Sequence, residues 1–381
     1  MSKILIIDGN LFARKMFYQF RNLSCKVKIS DLSVFSEKFK REAALENFKE
    51  DASSTEILDP TTGKVISVLK KSKIDNKIKE LSENHDLKVK INTGVTFGVI
   101  RSLIATFRTH DIGKIIICYD PLERNRKTQL RTKLFKEYKA SRAEDSRRKV
   151  EETVEFYKQL SIAHYLLYYM GIKQVWTKSF EADDLLHYYS QKVFKNKKSL
   201  TLTNDHDLFQ TIDNNNSILL IGKDSSIFDK KAFVAKYGIS PSRYLDVMSL
   251  CGCSSDEVPG LKGIGEIEAI SLIKKFKSLE NLIKAFEENW AMEMKGKTME
   301  ILIKEAGSGF KTIIKTRKLV KLYGFDRRLK SEKIVQRKKY SKRNFGRVIA
   351  ILETLKFRSV LHKKELKDIK RIMINQKKEK K

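Results

Sequence analysis

Three apolar runs, each ending in aspartate, constrain this sequence more than any other feature. They are KILIID (residues 3–8), KIIICYD (114–120) and SLTLTND (199–205), with a shorter run at 217–221. Continuous β-branched and leucine runs of this length are typical of strands buried on both faces of a parallel sheet. Between them, apolar residues recur every three or four positions over 150–170 and 182–194, which predicts helices. The alternation predicts an α/β fold with a parallel central sheet flanked by helices.

The acids that end these runs are expected at one edge of the sheet. Asp8, Asp120 and Asp205 each close a predicted strand, and open parallel sheets bind ligands at the carboxyl ends of their strands. Asp207 follows in chain that we expect to be extended, so that its carboxylate projects to the same side as that of Asp205. Each acid alone is typical of a turn or a loop, and only their joint placement indicates a site.

A further acidic cluster, EADD, begins at Glu181. Glu181 and Asp184 share a helix face with Asp183 beside them, although acids in a first helical turn are common because they suit the helix dipole. Packed against the strand-end acids, they would repel one another without a cation. Mg²⁺ and Mn²⁺ prefer oxygen ligands of this kind. Two such ions about 3.5 to 4 Å apart activate water for phosphodiester hydrolysis.

The charge of the chain points to a polyanionic partner. It has 78 Lys and Arg residues against 47 Asp and Glu, a formal net charge of +31 that exceeds the needs of solubility. The terminal NQKKEKK supplies only part of this excess. A further part lies in a basic segment at 121–149, which contains Arg124, Arg126, Lys127, Arg131, Lys133, Lys136, Lys139, Arg142, Arg147, Arg148 and Lys149. Nucleic acid is the first candidate partner.

A glycine pair, Gly263 and Gly265, precedes a helix that we expect to begin near Glu266. Small residues there let backbone N–H groups approach a phosphate at a helix N-terminus. Basic residues add charge, and they are Lys262, Lys274 and Lys275. Such contacts position a duplex without reading its sequence. Alone, the pair would equally fit an ordinary turn between two helices.

The cysteines and the lengths of the apolar runs indicate the cellular compartment in which the protein is expected. Cys25, Cys118, Cys251 and Cys253 show neither CxxC spacing nor a disulfide framework, so we expect reduced thiols and no zinc site. The N-terminal apolar run is too short for a signal peptide, and no stretch approaches membrane-spanning length. We expect a soluble, cytoplasmic protein with no membrane partner.

Taken in order, the motifs resemble those of the 5′ nuclease superfamily, which includes phage 5′ exonucleases, the 5′ nuclease domain of DNA polymerase I and flap endonucleases. They are LIIDGN (5–10), CYD (118–120), FKEYKASR (135–142), FEADDLL (180–186), LTNDHDLFQ (202–210), SSDEVPGLKGIG (254–265) and ILETLKFRSVL (351–361). The resemblance implies a PIN-like sheet, a helical arch over 121–149 and a helix–hairpin–helix-type C-terminal module. It divides the chain into a catalytic domain (1–245) with a polar insertion (22–92), a DNA-binding domain (246–360) and a basic tail (361–381).

The resemblance also implies roles for individual residues. Two Mg²⁺ ions would be held by Asp8, Asp120, Glu181, Asp183, Asp205 and Asp207, with Asp184 and Asp256 as further metal-site acids. Lys139 and Arg142 would contact the scissile phosphate. DNA contacts would come from Arg131, Lys133, Lys262, Gly263, Gly265, Lys274 and Lys275, with K⁺ at the glycine turn. Tyr138 would stack on an unpaired base or pack internally.

One departure from the family pattern concerns the second metal ion. The family's GD-x-x-DN pattern has an acid at the position of Cys253 and Asn at that of Glu257. A thiol is a poor magnesium ligand. We therefore expect a weaker second site and a stronger dependence on Mn²⁺, unless Glu257 compensates.

The implied function is that of a 5′–3′ exonuclease or flap endonuclease acting on DNA with 5′ ends, flaps or branches, in replication or repair. RNA in an RNA:DNA hybrid is a further implied substrate, for a monomer that works with replication proteins, in the host cytoplasm if a phage encodes it. Two other classes stay open: a junction-binding homologue that lost turnover through Cys253, and a PIN-type ribonuclease, which ordinarily lacks the glycine hairpin.

Overall fold

The computed structural model describes residues 2–37, 86–121, 130–139, 147–221, 226–288, 296–324, 335–336 and 343–376, with isolated positions between 39 and 84. The chain forms two compact units that interleave along the sequence. The first comprises Met1–Phe12, Asp111–Glu151 and Lys173–Arg337, and the second Ala13–His110, Glu152–Ile172 and Lys338–Lys381. Within the described ranges, no helix is both long and apolar enough to cross a membrane.

The first unit is built on a seven-stranded sheet. In chain order, the strands of the molecule are β1 (Lys3–Asp8), β2 (Ser24–Lys28), β3 (Lys88–Asn92), β4 (Ile112–Cys118), β5 (Lys173–Trp176), β6 (Ser199–Leu202), β7 (Asn216–Leu219), β8 (Ile227–Phe228), β9 (Gly252–Cys253), β10 (Val258–Pro259) and β11 (Val335–Gln336). The sheet has the order β11-β5-β4-β1-β6-β7-β8. Its five inner strands are parallel, and β11 and β8 pair antiparallel at the edges. The predicted parallel α/β sheet is thus confirmed.

β1 has the bounds that the sequence predicts, and its residues from Ile4 to Asp8 are all buried. It lies between β4 and β6, so that its apolar side chains are covered on both faces of the sheet. The second predicted strand starts earlier and ends at Cys118. Tyr119 and Asp120 therefore lie just beyond the sheet edge rather than within it.

Helix Ala182–Tyr188 packs on β1 and β4, and helix Lys230–Tyr237 packs on β8. The α-helices that the structure describes wholly within the first unit are Leu130–Leu134, Ala182–Tyr188, Lys230–Tyr237, Tyr244–Cys251, Glu266–Phe276, Leu279–Glu287, Lys297–Gly307 and Lys311–Val320. Helices 266–276 and 311–320 pack on helix 244–251, where Val247 and Leu250 are fully buried. The short β9–β10 hairpin follows helix 244–251 and positions Cys253 and the residues after it.

The second unit contains the two-stranded antiparallel pair β2–β3 and helices Gly94–Thr109, Phe345–Thr354 and Lys363–Asn375. Helices Gly9–Gln19 and Arg147–Tyr169 have residues in both units. The segment expected to be a basic tail begins as a helix with Ile369 and Ile372 buried. Its Asp368 and Glu365 bind Arg108, which anchors this helix to helix 94–109.

Candidate metal centre and nucleic-acid interface

Two strand-end acids lie beside the start of helix 182–188. Asp8 ends β1, and its Oδ1 accepts the backbone N–H of Leu11 at 3.0 Å. Asp120 follows β4, and its Oδ1 accepts the backbone N–H of Ala182 at 3.0 Å. This second hydrogen bond fixes the helix start against the carboxyl edge of the sheet. The EADD cluster is therefore brought to the strand-end acids.

Burial and mutual repulsion raise the pKa values of Asp8, Asp183 and Asp205. Burial, followed by the charge of Asp120, raises the pKa of Asp8 from 3.8 to about 7. Burial, followed by Asp205 and Asp8, raises the pKa of Asp183 well above its ordinary value. The pKa of Asp205 is also raised, chiefly by burial. Carboxylates that destabilise one another's charge form an oxygen-rich set that fits a hard divalent cation.

Asp205 caps a 3₁₀ helix, His206–Thr211, and Asp207 lies in the first turn of that helix and not in extended chain. The prediction of an extended segment is wrong because Oδ1 of Asp205 accepts the backbone N–H of Asp207 at 2.8 Å and turns the chain. The hydroxyl of Thr203 accepts the N–H of Asp205 at 3.1 Å and donates to Oδ2 of Asp8 at 3.4 Å. Thr203 thereby links two of the acids.

Asp207, Cys253 and Asp256 form a second group. One carboxylate oxygen from each aspartate and the Cys253 Sγ all lie within 4.8 Å of one another. Burial, followed by the charge of Asp207, raises the pKa of the Cys253 thiol, which keeps it protonated at neutral pH. A neutral thiol suits a hard cation poorly. Glu257 is not part of this group, and its backbone is left-handed with φ 58°.

The ammonium of Lys139 lies between the two acid groups. Its Nζ is 3.1 Å from Oε2 of Glu181 and 3.1 Å from Oδ2 of Asp256. Burial acts to lower the pKa of Lys139, but Glu181 and Asp256 outweigh it and raise that pKa. Burial likewise acts to raise the pKa of Glu181, but Lys139 and Arg131 outweigh it and lower that pKa. The lysine therefore neutralises part of the cluster. Its backbone is left-handed, with φ 52°.

Tyr138 does not offer its ring to an unpaired base. Its side chain is 3% exposed. Its hydroxyl donates to the carboxylates of Glu181 and Asp256, at 3.0 and 3.1 Å. The DNA-stacking prediction is therefore wrong for this conformation, because the ring is packed inside and the hydroxyl orients two acids. The alternative prediction, internal packing, is confirmed.

Arg131 and Asp184, which were predicted to contact DNA and to lie at the metal site, respectively, form a buried ion pair. Asp184 is fully buried, and its two oxygens accept from Nη1 and Nη2 of Arg131 at 3.0 and 2.9 Å. Arg131 also donates to the carbonyls of Leu319 and Lys321. Asp184 accepts the N–H of Tyr323 as well, at 2.8 Å. Both charges are thus paired within the protein. A phosphate bound to Arg131, or a cation bound to Asp184, would break this pairing.

The glycine hairpin has the predicted form at one end of helix 266–276. Gly263 is in a positive-φ conformation (φ 96°), and Gly265 precedes the first helical residue. A Cβ placed on Gly265 would meet nothing within 4 Å, so the backbone there is open to a ligand. Lys262 is exposed beside it.

Lys274 and Lys275 lie in the last turn of helix 266–276, at the opposite end from the hairpin. At 1.5 Å per residue the helix separates them from Gly265 by more than about 12 Å. They therefore do not lie beside the hairpin, and their contact with DNA stays a prediction. The Lys274 side chain instead lies over Gly238.

The structure describes some of the other predicted site residues and not the rest. Lys133 is exposed on helix Leu130–Leu134, whereas Arg142, Arg124, Arg126 and Lys127 lie outside the described residues. Asn10 was not predicted, although it stands in the LIIDGN motif. Its Oδ1 accepts the backbone N–H of Asp120 at 3.2 Å and so holds the end of β4 beside β1.

Comparison with known proteins identifies two consecutive family domains. Residues 77–238 match the 5′-3′ exonuclease N-terminal resolvase-like domain, and residues 239–331 match the 5′-3′ exonuclease C-terminal SAM fold. The chain is 30% identical over 198 residues to a 5′-3′ exonuclease of Buchnera aphidicola subsp. Schizaphis graminum, and 29% identical over 208 residues to that of Bacillus subtilis. These alignments cover 51% and 54% of this chain and 65% of each relative.

A solved structure shares the fold. Bacteriophage T5 5′-exonuclease with bound zinc ions superposes with a TM-score of 0.53 at 13% identity, over 97% of this chain and 99% of the phage protein. At that identity the likeness concerns the fold alone. The two consecutive domain models, which together extend from residue 77 to residue 331, carry the assignment: the chain belongs to the 5′-3′ exonuclease family.

Proposed function

We propose that this chain is a structure-specific 5′ nuclease that hydrolyses phosphodiesters near the 5′ ends or branches of DNA. The observation that carries the proposal is the cluster of acids with raised pKa values, Asp8, Asp183, Asp205 and Asp207, within a chain of formal net charge +31. Such acids suit cations, and the surrounding charge suits a polyanion. Membership of the 5′-3′ exonuclease family supports the same function.

We propose Mg²⁺ as the cation, with Mn²⁺ as an effective substitute. The first site would use Asp8, Glu181, Asp183 and Asp205, with Asp120 beside them. The second, weaker site would use Asp207 and Asp256, because Cys253 contributes a neutral thiol. When bound, two such cations supply an activated water and neutralise charge on the leaving oxygen.

The chain's own residues would position the substrate and the acids. We propose that Nζ of Lys139 turns from Glu181 and Asp256 to the scissile phosphate when DNA binds, where its charge stabilises the developing negative charge. Arg142 would make the second contact. Asn10 and Thr203 hold Asp120 and Asp8 through hydrogen bonds, so that the acids keep their orientation.

The two predicted domains would divide the work. Residues 1–245 would carry the chemistry under an arch at 121–149, and residues 246–360 would grip the duplex through the glycine hairpin, with K⁺ bound at the turn. We also propose that the protein acts as a monomer, cuts RNA in RNA:DNA hybrids during primer removal, and works beside replication proteins.

The test is cleavage of a 5′-labelled DNA flap in Mg²⁺ by the wild type, Asp205→Asn and Asp111→Asn. Asp205→Asn should lower the single-turnover rate roughly 100-fold or more, which is about 3 kcal/mol of transition-state stabilisation. Binding of the flap should persist. Asp111 is exposed and immediately precedes β4, at the opposite end of that strand from Asp120, so its substitution should leave the rate unchanged.

Other outcomes separate the alternatives. Tight flap binding without products in either Mg²⁺ or Mn²⁺ would favour a non-catalytic junction-binding protein. Cleavage of RNA strands only would favour a PIN-type ribonuclease. Equal rates for Asp205→Asn and the wild type would contradict the assignment of the acid cluster.

A further inference from the structure

The pair β2–β3 carries a lysine face that none of the roles above uses. We propose that this face, here called the lysine ribbon and formed by Lys26, Lys28, Lys88 and Lys90, is a second contact for the phosphate backbone of duplex DNA. The inference rests on the proposed function in taking DNA as the ligand. β2 lies outside residues 77–331, which the family models match.

Alternation along both strands creates the face. All four lysines of the ribbon are exposed, whereas Val27, Val89 and Ile91, which point to the other side, are buried at 3%, 1% and 6% exposure. The antiparallel register fixes the strands, with Lys26 opposite Lys90 and Lys28 opposite Lys88. A slip of one residue would bury lysines and expose the apolar side chains, so this register is strongly specified.

The register sets like charges directly opposite each other, which destabilises a β-ribbon. Among the described residues, only Lys28 of the four forms an ion pair, with the 89% exposed Asp86 at 2.9 Å. Lysines on exposed strands also discourage edge-to-edge aggregation. That role does not require two lysine–lysine pairs in register, because Lys–Glu pairs would serve it and also stabilise the ribbon. Binding of an anionic ligand between the strands' lysines would account for the two lysine–lysine pairs.

The spacing and composition of the face favour a duplex backbone. Lysines two residues apart on a strand are about 6.8 Å apart, close to the spacing of successive phosphates on a nucleic-acid strand. Lysines act as point charges on phosphates and read no bases. The other residues on this face are Ser24 and Asn92, so within the described β2 and β3 there is no aromatic platform on which unpaired bases could stack.

The salt dependence of duplex binding tests the proposal. The Lys26→Gln/Lys88→Gln/Lys90→Gln variant and a matched variant, Lys195→Gln/Lys197→Gln/Lys231→Gln, remove equal charge from exposed positions. Affinity for a blunt duplex is measured in EDTA from 50 to 300 mM salt. Each lost phosphate contact should reduce the slope of log K against log salt by about 0.9. The ribbon variant should therefore lose about 2 to 3 units of slope, and the matched variant none.

A second variant separates binding from folding. Lys90→Glu places a carboxylate opposite Lys26, so thermal stability should hold or rise while duplex affinity falls. Equal slopes for the ribbon variant and the wild type, or a loss confined to single-stranded DNA or to RNA, would overturn the proposal. The nuclease assignment is judged independently. A wild type that binds duplex through the ribbon without cleaving flaps would contradict the proposed function and leave the ribbon intact.

Discussion

At the scale of single residues, Cys253 is the residue that we expect to limit the proposed second cation site. It places a neutral thiol where Asp207 and Asp256 bring two carboxylates together. Cys253→Asp would add a hard oxygen ligand. We expect half-maximal flap cleavage at a lower Mg²⁺ concentration, a larger Mg²⁺-induced rise in melting temperature, and a lower melting temperature in EDTA because three acids then repel.

Cys253→Ser is the matched control, since it keeps a small neutral group at that position. It should change the magnesium requirement little. An unchanged metal requirement in Cys253→Asp, with no added stabilisation by Mg²⁺, would contradict a limiting role for the thiol.

The raised pKa of Asp8 predicts how stability varies with pH when metal is absent. Its pKa of about 7, against 3.8 ordinarily, means that the folded state holds its proton more tightly than the unfolded state. This contribution to stability is fully present below pH 3.8 and is lost as pH rises through about 7. Asp8→Asn should therefore raise the free energy of unfolding in EDTA by about 2 to 4 kcal/mol at pH 8 and by little at pH 4.

Denaturant titrations in EDTA at the two pH values measure this difference. Mg²⁺ should reverse it at pH 8, because the cation stabilises the charged wild-type cluster and binds the variant less well. A gain in stability that is the same at both pH values would show that repulsion at Asp8 is not its cause.

Arg131 and Lys133 are two residues apart and both carry a positive charge, but their substitutions should have different effects. Arg131 is 5% exposed and its charge is paired with Asp184, so Arg131→Met leaves a buried carboxylate uncompensated. We expect a loss of about 3 to 5 kcal/mol of folding stability. Exposed Lys133 →Gln should leave stability unchanged and weaken DNA binding, as chemical denaturation and a binding titration would measure. Similar stability losses for both would refute the distinction.

At the scale of elements, substitutions of the two glycines of the hairpin should affect folding stability and DNA binding differently. Gly265 has φ −88° and open space where a Cβ would lie, so Gly265→Ala should leave stability unchanged or raise it by up to about 1 kcal/mol. The added methyl group would nevertheless obstruct the approach of a phosphate, and duplex affinity should fall. Gly263→Ala should instead lower the melting temperature, because φ is 96° there. Unchanged duplex affinity in a folded Gly265→Ala would exclude the hairpin as a phosphate contact.

The elements could largely be predicted from the sequence. β1 was predicted with its exact bounds because a buried parallel strand needs an unbroken apolar run, and Lys3–Asp8 has one. The turn at Asp205 was missed because its cause is a single side-chain hydrogen bond to the N–H of Asp207. Hydrophobic periodicity indicates which side of an element is apolar. It does not indicate where a side chain forms a hydrogen bond with a nearby backbone N–H group.

At the scale of the whole molecule, the sequence gives charges but not their partners. Arg131 was predicted to contact DNA, and its internal partners, Asp184 and the Leu319 carbonyl, could not be foreseen because they are 53 and 188 residues away. For Cys253, by contrast, the family pattern already indicated a place at the second metal position, and the fold brings it to Asp207. The lysine ribbon could not be recognised within its polar segment of the sequence for a different reason. Its face depends on which residues of β2 oppose those of β3.

The central position of β1 has a consequence for synthesis on the ribosome. β1 is made early, but its two neighbours in the sheet, β4 and β6, end at Cys118 and Leu202. At 5–20 residues per second, β1 waits roughly 10 to 40 s for its second partner to be translated. During that interval an apolar strand has an unpaired edge, a state prone to aggregation. The nascent chain is therefore expected to need chaperone protection until the residues up to about 205 have emerged.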